Sequence, residues 1–229
     1  MGSLLNRFKE VIVTQFLRLG EHAVILKKNA DGSESEIDVS ELAVLDGLTA
    51  TTSELNRLDD DNAVMSTAAG TGITGGTGTV YKSSVLKVGD VTKTSIMIDL
   101  TGLNSAATLG DIIGVAATAN PCHFGRVTAA RNGAVFAGTI QCLEAPAGGE
   151  VDFDIYSATE ATGVTDGAIG DLTETQLLDT AADWTIGTVK AFSAMPAANQ
   201  YLYLTTGTSS TPTAGTYTAG KFLIEMYGL

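Results

Sequence analysis

Cysteine, histidine and tryptophan are scarce in this chain, and each shortage closes a class of chemistry. Two cysteines in 229 residues cannot staple a disulfide scaffold. The two histidines, His22 and His123, lie in different regions. No G-x-S-x-G, P-loop, H-E-x-x-H or C-x-x-C pattern occurs. Aromatic residues are 6% of the chain, few for a sugar-gripping hydrolase cleft. Lys and Arg number 13 against 26 acids, for a formal charge of -13. Phosphate contacts need clustered cations, so no nucleic-acid partner is expected. No apolar run reaches the roughly 20 residues of a membrane span, so no membrane partner is expected either. The opening MGSLLNRFKEVIVTQFLRL shows no compact apolar stretch before a small-residue cleavage site. No secretory signal is expected from it. These shortages point to a chain that is not an enzyme and carries no cofactor or metal.

The chain is instead rich in threonine (31) and glycine (26), and 44% of it is apolar, enough for a core. Charge divides its first 65 residues. Positions 1–28 hold five basic residues and two acids; positions 29–65 hold ten acids and one arginine, Arg57. Such blocks suit head-to-tail subunit contact, or are simply two solvated faces. Leu5, Phe8, Ile12, Phe16 and Leu19 follow helical spacing, while Val11-Ile12-Val13-Thr14 suits a strand, so residues 4–19 read as either. His22–Lys28, Asn29-Ala-Asp-Gly and Ser33–Val39 predict a hairpin.

Ser40-Glu-Leu-Ala-Val-Leu-Asp-Gly recurs thirteen residues later as Ser53-Glu-Leu-Asn-Arg-Leu-Asp-Asp. Each copy is too short to bury its own leucines, so the segment reads as an assembly element. Residues 66–79, STAAGTGITGGTGT, carry five glycines and no charge and read as a linker. Three parts follow: an N-terminal anchoring region of mixed α/β character (1–65), the linker (66–79) and a head (80–229).

Beyond Tyr81 the hydrophobic period is two. Ile96, Ile98 and Leu100 alternate with Met97 and Asp99; Val151, Phe153 and Ile155 alternate with Glu150, Asp152 and Asp154. Asn132-Gly133 predicts a tight hairpin between CHFGRVTAAR and AVFAGTIQCLE. That register sets His123 opposite Cys142 and sends the two thiols to opposite faces, leaving both free and buried. Strands are expected near 200–205 and 221–227, and a short helix near 173–180. The head is thus expected to be an antiparallel β-sandwich, jelly-roll-like, making the chain mainly β.

Three groups invite a chemical reading. Glu150, Asp152 and Asp154 project to one side of a strand, read as a solvated acidic stripe with calcium binding or glycoside hydrolysis as alternatives. His123 beside Cys142 is half a zinc site and reads as a core histidine. Tyr201 and Tyr203 share a strand face and read as packing, with sugar stacking as the alternative.

The repeated S-E-L-x-x-L-D-[GD] unit, within LAVLDGLTATTSELNRLDD, resembles the T-A-x-E-L-N-x-L-D-G repeats of head-associated and tail-fibre proteins of tailed-bacteriophage virions. Its second copy departs from them, ending Asp59-Asp60 where the family has Asp-Gly. SIMIDLTGLNSAATLGDIIG, FGRVTAARNGAVFAGTIQCLEAPAGG and DFDIYSATEATG are similar to structural proteins of tailed phages, particularly aquatic ones. The likeness covers residues 40–60 and about 90–165, and leaves 1–39 uncovered. It implies a virion component made in the host cytoplasm: a capsid decoration (cement) protein or short head fibre, as a homotrimer on the major capsid protein. Anchoring would then fall to Leu4, Leu5, Phe8, Ile12, Phe16 and Leu17, and self-association to Leu42, Leu45, Leu55 and Leu58. A tail-fibre or tail-tip adhesin binding host surface glycans is the alternative.

Overall fold

The structure, a computed structural model, describes the backbone of two N-terminal strands and residues 69–116, 119–207 and 211–229. The chain divides into two units, Met1–Asn56 and Arg57–Leu229, each described by itself. In the first, β1 (Val24–Lys28) pairs antiparallel with β2 (Glu34–Asp38), Val24 opposite Asp38 and Lys28 opposite Glu34, as the hairpin pattern predicts. The sequence-predicted element at 4–19 and both S-E-L-x-x-L-D copies lie outside the described residues.

The second unit is a β-sandwich. Its first described element is a helical turn, α1 (Thr71–Thr74), inside the stretch expected to be a linker. Ile73 there is wholly buried in the core. The Gly70 and Gly72 amides donate to His123 O and Pro121 O at 2.8 and 2.9 Å, and Val115 N donates to Gly72 O at 2.7 Å. The linker reading is therefore corrected for 69–79. Its glycines admit close backbone approach, since a Cβ at Gly72 would stand 2.4 Å from the Cys122 sulfur.

β3 (Val80–Val88) and β4 (Val91–Asp99) form a two-residue hairpin at Gly89-Asp90, with Gly89 at φ +62°. β5 (Asn104–Ser105) is short and pairs with the late strand β11 (Gly215–Thr216). β6 (Val135–Ala147), β7 (Phe153–Ala158), β8 (Glu174–Leu178), β9 (Val189–Ala191), β10 (Tyr201–Thr206) and β12 (Ala219–Gly228) complete the unit. One sheet runs β3-β4-β12-β6-β9 and the other β10-β7-β8, all antiparallel. Residues 111–113 and 124–126 extend the second sheet along β10, through bridges Ile112–Thr205 and Arg126–Tyr201 and the bond from Phe124 N to Leu202 O.

Apart from β3 and the short β5–β11 pair, the pairings nest: β4 with β12, residues 111–113 and 124–126 with β10, β6 with β9, and β7 with β8. Within this set first meets last and second meets next-to-last, the order obtained by rolling one long hairpin into a jelly roll. Inward side chains of the two sheets meet in the middle. Ile96, Ile98, Ile140, Phe222, Ile224 and Met226 come from one sheet, and Phe153, Ile155, Leu202 and Leu204 from the other, each 1% exposed or less. Phe153 and Phe222 pack edge to face at 4.7 Å, with Trp184 within 5.4 Å of both.

Two expectations about elements fail. Asn132-Gly133 makes no hairpin; it ends a helical turn, α2 (Ala129–Asn132), with Gly133 at φ +71°. Asn132 is 1% exposed; its Oδ1 accepts from Thr128 N and its Nδ2 donates to Thr94 Oγ1, both at 2.9 Å. That buried amide locks α2 to β4, and β6 is freed to pair with β12 and β9. The helix expected at 173–180 is β8, preceded by a 3-10 turn at Ile169–Asp171. Thr173 and Thr175 favour extended backbone, and β7 supplies the ladder partners.

Candidate functional site

Alternation alone predicts a solvated acidic stripe at 150–154, and the structure shows the reverse. Glu150, Asp152 and Asp154 are 2%, 1% and 0% exposed. The alternation is real, but both faces of this stretch are covered. Glu150 accepts from the amides of Asp152 (3.0 Å) and Thr213. Its own amide donates to Ser105 Oγ at 2.8 Å, and its carbonyl accepts from the Tyr217 hydroxyl at 2.7 Å. One glutamate thus ties the entry of β7 to β5 and to the β10–β11 loop. Asp154 accepts from Thr180 N at 2.7 Å and from Gln176 Nε2 at 3.3 Å. Burial pushes its carboxyl up to about 6, against the Thr180 bond, with Asp179 and Asp152 adding to the rise. Gly207 N donates to Asp152 O at 2.7 Å, and a Cβ at Gly207 would stand 2.4 Å from the Asp152 carboxyl carbon.

The Glu150 and Asp154 carboxylates act as acceptors that hold loops. Among the described residues no three His, Cys, Asp or Glu side chains gather as a metal would need.

The Phe153 carbonyl is a second node that composition does not reveal. It accepts from Thr180 Oγ1 at 2.5 Å and from Trp184 Nε1 at 3.1 Å, and Lys190 Nζ stands 5.3 Å over the indole. The lone tryptophan was the available signal: a single large ring in a chain poor in aromatics belongs where the core is thickest.

His123 is a core histidine, but not beside Cys142. Its ring lies 4.8 Å from Tyr201 and 6.2 Å from Tyr203, because its segment pairs with β10. Burial lowers its imidazole to about 4. Both thiols are free and buried, and burial raises both. Cys142 sits on β6 opposite Phe222; the Cys122 sulfur lies 3.2 Å from Thr165 Oγ1.

Tyr201 and Tyr203 do not make a stacking platform. Tyr203 is wholly buried, its hydroxyl donating to Glu160 O at 2.7 Å, and burial raises it to about 12. Tyr201 is half-buried between His123 and the Arg126 guanidinium, the latter 5.4 Å from the ring.

The anchoring set Leu4, Leu5, Phe8, Ile12, Phe16 and Leu17, and the self-association set Leu42, Leu45, Leu55 and Leu58, lie outside the described residues. No family model, no curated protein and no solved structure matches this chain.

Proposed function

We propose that this chain is a non-enzymatic structural component of a tailed-phage virion that decorates or cements the capsid. The observation that carries the reading is the doubled S-E-L-x-x-L-D unit, with its likeness to phage virion repeats, ahead of a jelly-roll head. Jelly rolls serve in capsid and lectin domains alike, so the fold agrees with the reading without deciding it. The head supports it in a second way. Its buried polar groups are spent on holding loops, which suits a rigid knob.

In this reading Leu4, Leu5, Phe8, Ile12, Phe16 and Leu17 bury apolar surface against the major capsid protein. Leu42, Leu45, Leu55 and Leu58 bring three copies together. Interfaces of this kind take their affinity from a desolvated apolar centre and their register from polar contacts.

The test adds the full chain to empty capsids of its cognate major capsid protein. Serine at the six anchoring positions should abolish occupancy; undiminished occupancy rejects the anchor. Light scattering of the free chain in about 0.5 M salt should return three times the 23.6 kDa chain mass, falling toward one chain when the four self-association leucines become serine. The adhesin alternative is weakened, because Tyr203, half of its stacking pair, is buried in the head.

A further inference from the structure

The five-stranded sheet ends in two edges of unlike character. At one end β3 runs nine residues with β4 on one side only. Among the described residues no backbone group of Val80–Val88 bonds on the other side. Val80, Leu86 and Val88 are 39%, 59% and 64% exposed. Its charges are Lys82 and Lys87, both exposed, and neither meets an acid among the described residues.

At the other end, among the described residues, β9 pairs only with β6. Ile186 and Val189 there are 73% and 58% exposed. Ser193 N donates to Leu177 O at 2.8 Å, which joins the end of β9 to β8. Glu174 is exposed at the start of β8 and Asp179 and Asp183 in the stretch that leads from β8 to β9, while the one charge on β9 itself, Lys190, is turned onto Thr180 O and the Trp184 ring.

We propose that the head carries a lateral self-association surface in which β3 of one copy docks along the β9 edge of the next. Exposed lysines on an edge strand ordinarily keep like edges apart. Here they disfavour β3 against β3 and select an edge that is acidic and apolar at once. Such an edge stands at the far end of the same sheet. Alternation sets Val80, Lys82, Leu86 and Val88 on the outer face of β3, where the apolar three meet Ile186 and Val189, and sets Lys87 on the inner face, where it meets the acids beside β8. The contact is heterologous, so it closes into a ring or runs on as a row, according to the rotation between copies. Because the chain carries a net charge of -13, copies otherwise repel, and a cationic edge offers a face where approach is favourable.

The experiment measures the self-association of the full chain by sedimentation velocity in about 0.05 M and about 0.5 M salt. Salt should weaken association. Lys82→Glu with Lys87→Glu should weaken it about tenfold or more, and Glu174→Lys with Asp183→Lys should do the same. Combining all four reversals should restore it. All four sites are exposed, and an unchanged melting temperature confirms that each variant is folded. Association indifferent to both pairs, or four reversals that fail to restore it, overturns the proposal. So does a wild-type monomer whose β3 amides resist hydrogen exchange, since the edge is then covered by its own chain. Residues 1–65 are untouched in every variant, so failure here removes the lateral contact and leaves the N-terminal anchoring reading standing.

Discussion

At the residue scale, the informative positions are carboxylates that composition would place in water. The Glu150 carboxylate joins the entry of β7 to the β10–β11 loop through two accepted amide bonds, so Glu150→Ala leaves both donors unmet. It should lower stability by about 2–4 kcal/mol, read as a fall in denaturation midpoint at constant m-value. Asp154 makes a sharper prediction because its titration has a sign. Its folded pKa, about 6, stands above the ordinary 3.8, so the folded chain holds that proton more tightly. Its stabilising contribution is complete below 3.8 and is lost as pH rises through about 6. Asp154→Asn keeps an acceptor for Thr180 N, and Gln176 can turn its amide to suit. The variant should melt above wild type well above pH 6 and lose that advantage below 3.8. His123 runs the other way, from 6.5 down to about 4. Its contribution is complete above 6.5 and fades as pH falls toward 4, so His123→Phe should flatten the acid limb of a melting-temperature profile. The alternation at 150–155 was legible in the sequence. The covering of both faces was not, because the groups that do it come from Thr180 and Thr213, far along the chain.

At the element scale, period-two runs announced β4, β7, β10 and β12, where one residue in two faces the core. Turn chemistry misled where tertiary contacts overrode it. Asn132-Gly133 carries the strongest short hairpin signal in the chain, yet the buried bond from Asn132 to Thr94 turns it into a helix stop. The genuine two-residue hairpin, Gly89-Asp90, has no such competing contact, and nothing lies within 4 Å of a Cβ built at Gly89. Gly133→Ala should therefore destabilise more than Gly89→Ala. At Gly133 the φ of +71° is joined by a contact of 2.7 Å to Leu229 O. Thermal melts of the two variants side by side check the ranking. Trp184→Ala removes the ring that meets Phe153 and Phe222 and one of the two hydrogen bonds to the buried Phe153 carbonyl. It should cost about 3–5 kcal/mol, measured by urea unfolding.

At the scale of the whole molecule, a β-sandwich was legible from strand count and turn spacing, but the pairing order was not. Register in a rolled hairpin is set between segments far apart in the chain, as in the pairs Asp99–Lys221 and Thr92–Gly228 of β4 and β12, and local sequence carries no label for such a partner. The glycines of 69–79 show the same limit. A linker and a tightly apposed backbone both ask for small residues, and only the neighbours Pro121 and Cys122 distinguish them. The functional reading joins this head to an N-terminal region whose leucines seek partners on other chains. The measurement that meets it most directly is electron cryomicroscopy of the purified virus that carries this chain. The account predicts jelly-roll knobs at symmetry-related sites on the outer capsid, each joined to the shell through residues 1–65. Density for the chain confined to the tail, or knobs seated on the shell through the β head with residues 1–65 turned away, would contradict it.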